Sequence, residues 1–102
     1  MTRTTTSYKA RRAEWVKSAI KSHTDNGWRS PDQTILVVAC DRYDYEDYPV
    51  FLRPLDVADR IEELQNSSMS SVHEVFDLEG DIDSQLEKSF VWMVPDRPDL
   101  WE

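Results

Sequence analysis

Six consecutive apolar residues, Ile35 to Cys40, form the longest apolar run in the chain. A run of that length, weighted toward β-branched residues, predicts a strand buried on both faces. Upstream, Tyr8, Trp15, Val16, Ala19, Ile20 and His23 recur at helical spacing. They predict a helix from a Ser7 cap to about Thr24, with Lys9, Arg11, Arg12, Lys17 and Lys21 on its opposite face. Asn26-Gly27 tolerates the left-handed conformation that ends helices, and Ser30-Pro31-Asp32 makes a turn into the apolar run. Downstream, Tyr48 to Arg53 reads as a second strand closed by Pro54, with Pro49 at a sheet edge or strand start because it donates no ladder hydrogen bond.

Asp56 is placed to cap a helix through about Gln65, on which Val57, Ile61 and Leu64 fall at i, i+4 and i+7. Asn66-Ser67-Ser68 ends that helix, and Ser71 to Leu78 alternates as a third strand, with Val72, Phe76 and Leu78 on one face and Val75 on the other. After the Glu79-Gly80 turn, Asp81 caps a short helix carrying Ile82, Leu86 and Phe90 four apart. Phe90 to Val94 is rich enough in β-formers to predict a fourth strand. Residues 1–6 are expected to form a flexible arm and the proline-bearing residues 95–102 an extended tail. The order αββαβαβ predicts an α+β or small α/β fold as a single domain over residues 1–102. Its expected sheet is mixed, with three to four strands, about three helices and right-handed crossovers.

With 102 residues, 39% of them hydrophobic, the chain can bury one modest core without staples. One cysteine allows no internal disulfide, and Cys40 within the apolar run reads as a small buried hydrophobe. No window approaches the roughly 18 apolar residues of a spanning helix, and the polar N-terminus lacks the apolar region of a signal peptide. A soluble protein of a reducing compartment, without membrane contact, is therefore expected. The net charge of −8 conceals an asymmetry. Residues 1–30 carry seven basic and two acidic residues, a net +5, whereas residues 31–102 carry five basic and eighteen acidic residues, a net −13. An acidic body repels nucleic acid and attracts basic protein surfaces, so direct nucleic-acid binding is not expected. Arg11, Arg12, Lys17 and Lys21 form a secondary basic surface, facing either an acidic partner or the acidic body of its own chain.

The candidate chemistry concentrates where the apolar run ends. Asp41, Tyr43, Asp44, Tyr45, Glu46, Asp47 and Tyr48, around Arg42, combine four carboxylates with three tyrosines. Tyrosine offers rigid contact area with a polar tip and is enriched at the energetic centres of interfaces. Alternated with carboxylates, it resembles the charge and flat faces of nucleic acid and fits a basic cleft. The competing reading packs Tyr45 and Tyr48 on the core and leaves the acids solvated. The same acids lack the glycine of a tight calcium cage, residues 77–83 fail the spacing of an EF-hand, and no Cys/His group has zinc spacing. Neither a metal nor a cofactor is expected. Asp41-x-x-Asp44 is not the Asp-x-Asp of phosphoryl-transfer enzymes, and Glu46 stands where a cysteine phosphatase built on Cys40 needs arginine. His23 and His73 have no evident partner, and Gly27 and Gly80, the only glycines, make no phosphate loop. No catalytic residue is therefore assigned.

The stretches VVACDRYDYEDYPVF and HEVFDLEGDIDSQLEK resemble those of small acidic accessory proteins of tailed bacteriophages, over about Ile35 to Lys88. The resemblance brings no activity and no catalytic residue. It implies a context, the cytoplasm of an infected bacterium, where accessory proteins of this size often bind and disable host machinery such as CRISPR effectors and other defence complexes. The expected function is that of a non-enzymatic inhibitor docking its acidic, tyrosine-rich surface on a basic host protein. The alternative, from another class, is a self-associating structural or small-ligand-sequestering module built on the sheet edge and the tryptophans, which predicts a homo-oligomer. A small hydrolase is the third.

Overall fold

The computed structural model describes residues 4–88 and Leu100. The chain divides into two units, residues 1–30 and 31–102. The division falls where the charge changes sign, from +5 to −13.

The first unit is a helix, α1 (Thr4–Asp25), followed by its stop. It begins three residues before Ser7, so Ser7 lies within the helix rather than capping it. Its end is specific. Gly27 has φ 71°, and the Gly27 N–H donates to Thr24 O at 3.3 Å and the Trp28 N–H to His23 O at 2.9 Å. These two bonds make a Schellman cap, which needs a residue that enters the left-handed region cheaply. The ring of Trp28 then meets that of His23 edge-on, with centroids 5.3 Å apart.

The second unit is a three-stranded sheet with two helices among the described residues. Strand β1 (Ile35–Asp41) is central, flanked by β2 (Glu46–Leu52) on one side and β3 (Ser70–Asp77) on the other. Both pairings are antiparallel. The expected mixed sheet is thus corrected to an antiparallel one, and the expected fourth strand lies outside the described residues. Strands β2 and β3 run in the same direction on either side of β1. A 3₁₀ turn (Pro54–Asp56) and α2 (Val57–Asn66) carry the chain across between them. Asp56 stands at the N-cap of α2 without making the cap bond. Its carboxylate takes the Arg53 guanidinium instead, at 2.8 Å, a competing partner that a spacing rule does not register.

Ile35 to Cys40 are all buried, as the apolar run requires. One face of the sheet, with Ile35, Val37, Ala39, Val72 and Val75, packs with Val57, Ile61 and Leu64 of α2, and Leu100 joins this cluster. The other face carries Leu36, Val38, Cys40, Phe51, Phe76 and the buried Glu74. Val72 therefore shares a face with Val75, not with Phe76. The reason is a β-bulge: Val38 pairs with Glu74 and Ala39 with Val72, so His73 is an extra residue. One inserted residue reverses every later side chain of a strand. Helix α3 (Ile82–Lys88) packs on β3 and is capped as expected, the Asp83 N–H donating to Asp81 Oδ1 at 3.1 Å.

Candidate functional site

Strands β1 and β2 are joined by a hairpin in which Asp41 pairs with Glu46 and Arg42 to Tyr45 form the loop. Asp41 is what shapes it. Its backbone carbonyl accepts the Tyr45 N–H at 2.6 Å, and its Oδ1 accepts the N–H groups of Tyr43 at 2.9 Å and Asp44 at 3.4 Å. A short carboxylate that satisfies its own following backbone is the usual chemistry of a tight turn. The Arg42 N–H donates to Met69 O at 2.7 Å, tying the hairpin to the approach to β3. Tyr45 completes the turn with φ 59°. A side chain in that region costs on the order of 1 kcal/mol, which glycine or asparagine would largely avoid.

The seven residues expected to bind a partner separate into two groups. Tyr43, Asp44, Tyr45 and Glu46 form the exposed tip, with Tyr43 75% and Tyr45 84% accessible. Among the described residues, no ion pair engages Asp44 or Glu46. The other three are tied into the fold. Asp41 builds the turn, Tyr48 packs against the core with its hydroxyl 3.3 Å from Ser70 Oγ, and Asp47 lies 3.2 Å from His73 Nδ1. Tyr48 thus follows the core-packing reading, whereas Tyr45 does not.

The Asp47–His73 pair was not foreseen in the sequence and joins β2 to β3 across β1. Strands lie about 4.8 Å apart, so the two side chains must reach over whatever β1 presents between them. It presents Cys40, the register partner of Asp47. The thiol, imidazole and carboxylate donor atoms all lie within 4.8 Å of one another. Burial, then the neighbouring Asp47 and Asp41 carboxylates, push the Cys40 thiol above its ordinary value of 9.0. A nucleophilic cysteine needs the opposite, a neighbourhood that favours thiolate.

On α1, Arg11, Lys17 and Lys21 are exposed, but Arg12 is half-buried on the strip with Val16, Ala19, Ile20 and His23. Lys21 also pairs with Asp25 at 2.6 Å, and this hydrogen bond raises its pKa. Comparison of the chain with protein-family models, curated proteins and solved structures found no match.

Proposed function

We propose that this chain is a non-enzymatic binding protein whose hairpin tip docks on a basic protein surface. The observation that carries the reading is the pair of tyrosines, Tyr43 and Tyr45, exposed at 75% and 84% on either side of Asp44. Large aromatic surface held in water gains nothing for the fold, and a left-handed tyrosine costs it stability. Both costs are recovered when the rings enter a partner's pocket. Asp41 holds the loop in one shape, so docking immobilises little additional backbone. The carboxylates of Asp44 and Glu46, in no ion pair among the described residues, supply the field that steers encounter with cations. The resemblance to phage accessory proteins supplies the partner class, a host nucleic-acid-handling or defence complex of the CRISPR-effector kind, whose nucleic-acid cleft an acidic, aromatic tip would mimic a ligand for. The protein would then act in the cytoplasm of the infected bacterium.

The test is capture from bacterial lysate at low and high salt by the wild-type chain, by Asp44→Lys/Glu46→Lys and by Tyr43→Ala/Tyr45→Ala. A partner retained by wild type at low salt and lost with both variants supports the reading; one retained equally by all three overturns it. A second reading, self-association, is favoured by one observation, the 65% exposure of Trp28. It predicts a discrete oligomer in sedimentation that Trp28→Ala dissolves.

A further inference from the structure

We propose that Cys40, Asp47 and His73 form a three-ligand site for a zinc-class divalent ion, open to water at its fourth position. The three residues offer one thiol sulfur, one imidazole nitrogen and one carboxylate oxygen, all within 4.8 Å of one another. This donor set is the one that borderline-soft ions select, and it is unsuited to calcium or magnesium, which take oxygen alone. Around a tetrahedral ion with bonds of about 2.0–2.3 Å, ligand atoms stand roughly 3.3–3.8 Å apart. The 3.2 Å between His73 Nδ1 and Asp47 Oδ1 is close to the short end of that range. No separation in the group exceeds 4.8 Å, so closing on an ion needs a movement of at most about 1.3 Å, within reach of side-chain rotation. Asp47 and His73 are 46% and 47% exposed, while Cys40 forms a buried floor between them. Such a site has an entry path and room for a water or a further ligand.

The arrangement depends on features that have no sequence spacing. The hairpin register sets Cys40 against Asp47, and the bulge delivers His73 from the far side of β1. An ordinary histidine–aspartate ion pair is the competing account, and it needs no cysteine beneath it. The two differ in whether sulfur takes part.

The experiment is titration of the full chain, metal-free and reduced, with Co²⁺ as the spectroscopic probe. One equivalent should produce a near-ultraviolet thiolate-to-cobalt band with the intense visible bands of tetrahedral cobalt, and Zn²⁺ should displace it. Cys40→Ser should remove the thiolate band. His73→Ala and Asp47→Ala, at half-exposed positions that the fold tolerates, should each weaken binding at least tenfold, with far-ultraviolet circular dichroism unchanged. Should Cys40→Ser fail to fold, the other two variants decide alone. Absence of a thiolate band in the wild-type chain overturns the proposal, as does binding that both alanine variants leave unchanged.

Discussion

Truncating Val37 to alanine tests whether β1 is the centre of the fold. Val37 is 0% exposed, pairs with Val50 on one side and Val75 on the other, and packs in the cluster with Val57, Ile61 and Leu64. Removing its two methyl groups forfeits about 1.6 kcal/mol of transfer free energy, taken at about 0.8 kcal/mol per buried group. The space left between two paired strands cannot collapse freely, so the cavity brings the total to roughly 2–3 kcal/mol. Against a net stability of about 5–15 kcal/mol that is a large fraction, and it lowers the melting temperature by roughly 8–24 °C. Leu55→Ala is the control. It removes more apolar volume, but from a residue 72% exposed, and should cost no more than about 0.5 kcal/mol. Urea unfolding followed by circular dichroism measures both, with m expected unchanged. Equal midpoints for Val37→Ala and Leu55→Ala would refute the central placement of β1.

Other positions give sharper local readouts. Tyr45→Gly removes a side chain that is 84% exposed from a left-handed position with φ 59°. It should leave thermal stability equal or raised by up to about 1 kcal/mol while weakening partner binding; a large loss of stability would mean that the ring packs on its own fold. Gln85 closes the end of β3 with its side-chain amide, accepting the Asp77 N–H at 2.8 Å and donating to Asp77 O at 2.8 Å. Gln85→Ala should therefore cost about 1–3 kcal/mol, and Gln85→Glu, which keeps only the acceptor, should also destabilise; unfolding midpoints equal to wild type would contradict this. For Cys40, whose thiol is raised above 9.0 by burial and the adjacent carboxylates, the folded state favours the protonated form. The stability this gives is present in full below the unfolded-state value and is lost as pH rises through the folded one. Alkylation of the native protein at pH 8 should accordingly be slower than that of a free thiol and should accelerate on unfolding; equal rates would place the thiol in water.

The parts legible in the sequence are those that local physics decides. Six apolar residues in a row can be satisfied only by burial on both sides, and Ile35 to Cys40 are so buried. Asn26-Gly27, the Asp81 cap and the Val57, Ile61, Leu64 stripe needed only neighbours within a turn or two. Strand direction was not legible, because a continuous apolar run suits a parallel sheet as well as a central antiparallel strand. The bulge at His73 depends on pairing between strands far apart in sequence, and it alone reversed the faces expected for Val72 and Phe76. The same long-range register brings Cys40, Asp47 and His73 together, so zinc spacing rules found nothing. Within the hairpin, composition marked the acidic tyrosine loop, but only the turn geometry separated Tyr43 and Tyr45, which face water, from Tyr48, which does not.

The proposed docking hairpin is tested most directly by binding kinetics of the captured partner across salt concentration. Asp44→Lys/Glu46→Lys reverses two exposed charges that make no ion pair among the described residues, so melting should hardly move. Association at low salt should fall about tenfold or more, while dissociation stays within about twofold, because these charges act at a distance. Tyr43→Ala/Tyr45→Ala should do the reverse, raising the dissociation rate with little change in association, as expected for anchors that act by buried contact. If instead both variants bind with wild-type rates at every salt concentration, the hairpin is a solvated connection between β1 and β2, and the docking account is wrong.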